Sequence, residues 1–208
     1  MHGISSRGFS AISCNNRTMK TILVPTAIIF ALALARLLPH MPNFAPITAM
    51  ALFGGAYLGK RYAFIIPILA MLLSDYLLLY VSPFGSPIFN FSHIYPLTAL
   101  FHIALPAVYT SFIISGSVGL WLKNHKTPVT VIAASAICSL QFFLITNAAV
   151  WMGGMYGRSL LGLWESYIAG IPFLQGTLFG DFFYTTFLFG AYELARVAVR
   201  ERKPALAA

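Results

Sequence analysis

Two acidic residues, Asp75 and Asp181, lie inside long apolar segments of the sequence. An ionisable side chain inside a membrane is costly unless it is paired or faces water, so such residues usually have a function. A carboxylate at either position could bind a cationic or hydroxyl-bearing group of a small molecule. Asp75 could instead pair within the chain, for instance with Arg36, and Asp181 could bridge two helices, so both alternatives stay open.

Other polar and aromatic residues could line the same binding pocket. Asn147 and Trp151 share one apolar segment, while Asn43, Asn90 and His93 belong to predicted loops. Trp151 could stack on a planar ligand, although aromatic residues are also common at membrane surfaces. Asn147 could simply hydrogen-bond across helices. The predicted substrate-binding residues are Asp75, Asn147, Trp151, Asp181, Asn43, Asn90 and His93.

The sequence offers no catalytic or metal-binding motif. No nucleophile and base stand out as a catalytic set, Ser74 beside Asp75 is not a fragment of a catalytic triad, and there is no phosphate-binding loop of the ATPase type. Cys14 and Cys138 are far apart, and His93 and His102 have no cysteine or carboxylate pair at ligand spacing. We therefore predict that the chain is not an enzyme, does not hydrolyse ATP by itself, and needs no metal or cofactor.

The composition is that of a membrane protein. Of the 208 residues, 59% are hydrophobic and 9% are charged, whereas a soluble domain carries about 25% charged residues. A membrane-spanning helix needs roughly 20 apolar residues, so the length predicts an all-α polytopic membrane protein with six transmembrane helices. The net charge of +8 comes from Lys and Arg at helix ends, which indicates membrane topology rather than nucleic-acid binding.

The apolar segments predict where these helices lie. A basic, disordered tail (1–20) precedes the membrane domain (21–197), and a basic cytoplasmic tail (198–208) follows it. The fourth segment is longer than a straight span, so we expect either tilt or a break near Pro106, and we expect an interfacial loop or short helix over 153–169. The six predicted helices span residues 21–38, 44–59, 62–81, 96–122, 129–152 and 171–195.

The distribution of cations predicts the orientation. With both termini in the cytoplasm, eleven of the 13 Lys and Arg face the cytoplasm, and Arg36 and Arg158 remain outside. This bias is the usual one for a plasma-membrane protein. It places the Lys60–Arg61 turn inside and Asp75 in the outer half, so the binding pocket should face outward. A channel would need polar residues at all depths, and the inner half is too apolar for one.

Small residues recur at four-residue spacing on two predicted helices. In a helix this spacing places them on one face, where a second helix can approach closely in lipid. The stripes are Ala27, Ala31 and Ala35 on the first helix, and Ala51, Gly55 and Gly59 on the second. The first stripe could pack against this chain or against another protein, whereas the second favours close packing within the chain.

Several motifs together resemble an uncharacterised family of bacterial membrane proteins described as transport proteins. They are NFAP at 43–46, ALFGGAY at 51–57, LSD at 73–75, FFLITN at 142–147 and GD at 180–181. The resemblance covers residues 22–195. That family is in turn similar to the substrate-binding S components of energy-coupling factor (ECF) transporters.

The similarity to S components implies a function. Those proteins have six helices with cytoplasmic termini and bind a vitamin or other micronutrient in an outward-facing pocket. They deliver it by toppling within a complex of a transmembrane coupling protein and two ATPases. A small-residue face of their first helix contacts the coupling protein. Ala27, Ala31 and Ala35 match that face. The alternative is an integral membrane enzyme or scaffold whose intramembrane acids are structural.

Overall fold

The computed structural model describes residues 22–39, 41, 43–82, 89–101 and 104–205, and in this part of the chain it contains six α-helices and no strand. A 3-10 turn at Leu97–Leu100 precedes α4, and one isolated bridge pairs Val81 with Phe89. The predicted tail 1–20 and His102 lie outside the described residues. The helices are α1 (Ile22–Ala35), α2 (Ile47–Tyr57), α3 (Tyr62–Leu77), α4 (Leu105–Leu122), α5 (Pro128–Met152) and α6 (Leu160–Ala205).

A proline lies at the start of α4, in the region where the sequence predicts either tilt or a break. The predicted helix at 96–122 is interrupted, and Pro106 lies in the first turn of α4. A proline is well placed there, because the first amides of a helix have no partner within the helix. The segment before it forms only the short 3-10 turn. The predicted break near Pro106 is therefore confirmed.

The predicted bounds of the last helix are wrong at both ends. α6 starts at Leu160, continues through Pro172 and ends at Ala205, a length of 46 residues. It therefore takes in most of the predicted interfacial segment 153–169 and part of the predicted tail 198–208. An apolar helix can continue through a proline because only one main-chain hydrogen bond is lost and neighbouring groups can compensate.

Two helices of the described ranges are long and apolar enough to cross a membrane. They are α4 and α5, while α1, α2 and α3 are apolar but have only 10–17 residues. At 1.5 Å per residue, the 11 residues of α2 extend about 16 Å, roughly half of a 30 Å hydrocarbon layer. Length and composition thus indicate membrane association through α4 and α5, and α2 is too short to cross a membrane alone.

The short helix α2 lies at the centre of the bundle. Every residue from Thr48 to Ala56 is buried, and α2 packs against α3, α4, α5 and α6. A Cβ atom on Gly55 would collide with the main-chain oxygen of Gly116, and one on Gly119 would collide with that of Leu52. The backbones of α2 and α4 therefore touch where they cross.

The predicted small-residue stripe of α2 is confirmed at two of its three positions. Ala51 and Gly55 are buried in the bundle, whereas Gly59 is exposed and lies beyond the end of the helix. A Cβ atom on Gly59 would meet nothing within 4 Å. Close packing thus requires a small residue at Gly55 but not at Gly59.

We predict that Gly119→Ala destabilises the protein by about 1–3 kcal/mol or more, because its methyl group would enter the backbone of α2. Gly59→Ala is the matched control and should change stability by no more than about 0.5 kcal/mol, since the surface there is open. Thermal unfolding of both purified variants, followed by circular dichroism in detergent, measures the difference. Equal stability of the two variants would contradict the backbone contact.

Candidate functional site

Asp75 is held in a hydrogen-bonded group at the ends of three helices. Arg36 follows α1, and its Nη1 lies 2.8 Å from Asp75 Oδ1. Tyr109 of α4 donates to Asp75 Oδ2 at 3.0 Å. The Arg36 guanidinium also donates to Ser74 Oγ and approaches the sulfur of Met71 at 3.1 Å. Of the two alternatives for Asp75, the structure contains the pair with Arg36.

The Arg36–Asp75 pair is sheltered from solvent. The side chains of Arg36 and Asp75 are only 9% and 20% exposed. Each carboxylate oxygen of Asp75 already has a protein partner, so a ligand of this carboxylate would share or replace one of them. The arrangement joins α1, α3 and α4, and it neutralises an arginine that would otherwise be buried as an unpaired charge.

Asp181 lies among hydroxyl groups in the middle of the bundle. Its side chain is buried, and its Oδ2 atom lies 2.6 Å from Ser139 Oγ of α5. Thr48 of α2 bonds the carboxyl group through its hydroxyl and its main-chain amide. One turn further, Ser135 donates to Thr185 at 3.3 Å. Asp181 therefore bridges α6 to α2 and α5, and no Lys, Arg or His of the described ranges forms an ion pair with it.

Asn147 and Trp151 make their contacts within the hairpin of α5 and α6. The Asn147 amide donates to the main-chain oxygen of Phe143 at 2.8 Å, and its side chain fills the space beside Gly170. The Trp151 indole donates to the main-chain oxygen of Ser159 at 2.9 Å. These contacts fix the crossing of the two helices and the turn between them.

Asn90 and His93 belong to an aromatic loop (89–96) that lies between α3 and the 3-10 turn. The main-chain N–H of Asn90 donates to the main-chain oxygen of Tyr80 at 2.9 Å. The ring of His93 packs edge-on against Tyr95, with 5.1 Å between the ring centres. The main-chain N–H of Tyr95 in turn donates to the Tyr80 hydroxyl at 3.1 Å. Both predicted site residues are exposed, and the loop lies beside the end of the helix that carries Asp75.

Asn43 occupies a turn before α2. Its φ of 59° is in the left-handed region, which asparagine adopts more readily than most residues. The side chain is exposed. The adjacent main chain of Phe44 lies against Gly180 of α6, where a Cβ atom would come within 3.0 Å. Asn43 thus shapes the chain where it enters the buried helix.

The predicted site residues form separate groups. Asp75 has its partners on α1 and α4, Asp181 on α2 and α5, and Asn147 on α5 and α6. Within the part of the chain that the structure describes, no hydrogen bond or ion pair joins one of these groups to another. The hydroxyl partners of Asp181 could not be found by sequence reasoning, because single Ser and Thr residues in apolar helices give no distinctive pattern.

A cavity that sequence reasoning missed lies at the opposite, basic end of the bundle. It has a volume of about 430 Å³ and lies between the end of α2, the start of α5 and α6. Glu193 Oε1 accepts from the Tyr57 hydroxyl at 2.7 Å and lies 3.3 Å from Lys126 Nζ. Lys126 Nζ also lies 4.2 Å above the Tyr57 ring. Tyr57, Lys126 and Glu193 are far apart in sequence, so no local spacing predicts their contact.

Glu193 also contacts a second cation at this basic end. Arg196 Nη1 lies 3.1 Å from Glu193 Oε1. Glu193 and Arg196, one turn apart on α6, therefore form an ion pair.

The described residues form a helical bundle with acids bonded inside it, and two of its apolar helices have the length and composition of membrane spans; these features suggest the class of helical membrane-associated proteins. Within that class, the chain belongs to a family of unknown function, DUF6580, whose model matches residues 16–206. No curated protein and no solved structure matches the chain. Membership in an uncharacterised family confirms that part of the resemblance seen in the sequence.

We predict that Asp75→Asn destabilises the protein by about 3–5 kcal/mol, because it leaves the buried guanidinium of Arg36 without a counter-charge. Glu193→Gln is the control, since it also removes one carboxylate, but from ion pairs whose side chains are 24–55% exposed, against 9% and 20% for Arg36 and Asp75. It should cost about 1 kcal/mol or less. Thermal or denaturant unfolding of the two variants measures both values. A stability of Asp75→Asn equal to that of Glu193→Gln would show that the Arg36 pair is dispensable.

Proposed function

We propose that the chain is a multi-pass transport protein of the plasma membrane, and that it acts as a substrate-binding subunit of an ECF-type importer for a small micronutrient. The proposal combines the helical bundle with the resemblance to S components. Six transmembrane passages with both termini in the cytoplasm are part of it. The short helix α2 would then cross the membrane only together with the loop segments that flank it.

The distribution of charge supports the orientation. The turn between α2 and α3 carries Lys60 and Arg61, and the turn between α4 and α5 carries Lys123 and Lys126. The contact between Lys126 and Glu193 brings the later part of α6 to the same end. Cations favour the cytoplasmic side, so this basic end would lie inside, and Asp75 with the aromatic loop would lie outside.

The exposed alanine face of α1 is the observation that carries the proposal. Ala27 and Ala31 are exposed and Ala35 is half-buried, because α1 packs on the bundle through the side that carries Ile29 and Ala33. The stripe at 27 and 31 is therefore not used for packing among the residues that the structure describes. A surface of small residues allows a second membrane helix to approach closely, which is what docking to a coupling protein requires.

The outer end supplies groups suited to a small substrate. Asn90 and His93 are exposed beside the rings of Phe91 and Tyr95. Aromatic faces can stack on a planar ligand, and the amide and imidazole can hydrogen-bond to it. Asp75 lies at the end of the helix that leads into this loop. Asn43, Asn147, Trp151 and Asp181 remain part of the proposed substrate-binding set.

A membrane scaffold is the second candidate function. The observation that favours it is the complete set of partners around Asp75, since Arg36 and Tyr109 already occupy both carboxylate oxygens. In that case the acids hold the helices together and bind no ligand. Native mass spectrometry of the purified protein separates the two functions. A small molecule that is retained by the wild type supports transport, and its absence from protein purified from rich medium supports the scaffold.

We predict that Ala31→Leu weakens docking to the coupling protein without affecting the fold. When the chain is co-expressed with a coupling protein and its ATPases, the larger side chain should lower co-purification by about tenfold or more, as a loss of about 1.4 kcal/mol would. The unfolding temperature of the isolated chain should stay unchanged, because residue 31 is exposed. Pull-down of the ATPases and thermal unfolding measure the two effects.

Ala33→Leu is the matched control on the other face of α1. Residue 33 is buried, so this variant should lose about 1–3 kcal/mol of stability through overpacking. A chain that never co-purifies with the ATPases, or an Ala31→Leu variant that binds as well as the wild type, would contradict the docking role.

A further inference from the structure

We propose that Asp181 is a proton-binding site: a neutral carboxylic acid that keeps its proton at neutral pH and donates it to Ser139. The proposal goes beyond the transport role and does not depend on the identity of the substrate or of the partner proteins. It rests on the geometry of the hydroxyl groups around Asp181, on the burial of its side chain and on the charges near it.

Ser139 has two close oxygen neighbours but only one proton to donate. Its Oγ atom lies 2.6 Å from Asp181 Oδ2 and 3.0 Å from the main-chain oxygen of Ser135. A serine hydroxyl has one proton and can donate only one full hydrogen bond. If the carboxyl group were ionised, both neighbours would be acceptors. If it is protonated, Asp181 donates to Ser139, Ser139 donates to Ser135, and both short contacts are hydrogen bonds.

Other hydroxyl groups of the bundle indicate which way the Ser139 proton points. Ser115 donates to the main-chain oxygen of Ser111 at 3.0 Å, and Thr146 donates to that of Phe142 at 2.7 Å. Both bonds run four residues back along a helix, as the bond from Ser139 to Ser135 does. Ser139 therefore follows a pattern that recurs in this protein, and its proton is used by the backbone. The proton of the 2.6 Å contact is left for Asp181 to supply.

The ionised form of Asp181 would carry a high electrostatic cost. Asp181 is 1% exposed, and none of the ion pairs among the described residues includes it. A buried charge without a counter-charge is strongly unfavourable, so such a group normally becomes neutral. Asp75 shows the contrast, because that carboxylate is paired with Arg36.

The groups that face Asp181 from the packed helices do not supply a counter-charge. α2 contributes Thr48, and its only titratable residue, Tyr57, lies at its other end. α5 contributes Ser139 and, as its nearby titratable group, the buried thiol of Cys138. α6 itself carries Tyr184 one turn on, which is neutral at physiological pH. A proton is thus the ligand that these surroundings suit.

Infrared spectroscopy of the full-length protein tests the site directly. The chain has five acidic residues, so the carbonyl stretch of a protonated carboxyl group can be assigned with few variants. At neutral pH the wild type should show such a band, and transfer to D2O should shift it. Asp181→Asn should lose the band. Glu165→Gln, which removes an exposed carboxylate, should keep it.

Absence of the band from the wild type, or its retention in Asp181→Asn, would overturn the proposal. So would a band that is present in potassium buffer and lost in sodium buffer, because the carboxylate would then bind sodium. If Asp181→Asn does not fold, Ser139→Ala serves instead. The band should then remain but move in frequency, since the acceptor of the proton is gone, and an unchanged frequency would overturn the proposal.

Discussion

The contact between the backbones of α2 and α4 is the constraint on which the rest of the structure depends. Gly55 and Gly119 allow these helices to touch, and all interior residues of α2 are buried as a result. The two ends of α2 then reach different polar groups, because Thr48 bonds Asp181 and Tyr57 bonds Glu193. A change in the spacing of this crossing would displace both groups together.

The bundle accommodates its two interior acids in different ways. Asp75 lies near helix ends, where the long side chain of Arg36 can reach it and supply a full counter-charge. Asp181 lies mid-helix among short hydroxyl side chains, which can hydrogen-bond but cannot neutralise a charge. The ion pair of Asp75 joins the helices that carry it, whereas the site around Asp181 is stable when the acid is neutral. The same residue type therefore has two distinct roles.

Local patterns in the sequence predict the start and end of α5, the break before α4 and the close packing at Gly55, because each depends on residues that are neighbours along the chain. The uninterrupted course of α6 through Pro172 is not predicted, since tertiary packing overrides the preference of proline. Long-range partners are also hidden. Arg36 was one named alternative for Asp75, but nothing local connects Ser139 to Asp181 or Lys126 to Glu193, and those contacts appear only when the helices are packed.

The placement of the two ends of the bundle across a membrane is the central claim, and cysteine labelling tests it most directly. Ser92 in the aromatic loop and Asn124 in the turn between α4 and α5 are both exposed. In a background without Cys14 and Cys138, Ser92→Cys should react with a membrane-impermeant maleimide on intact cells. Asn124→Cys should react only after the membrane is opened. Labelling of both positions from the same side, or the reverse pattern, would contradict the account.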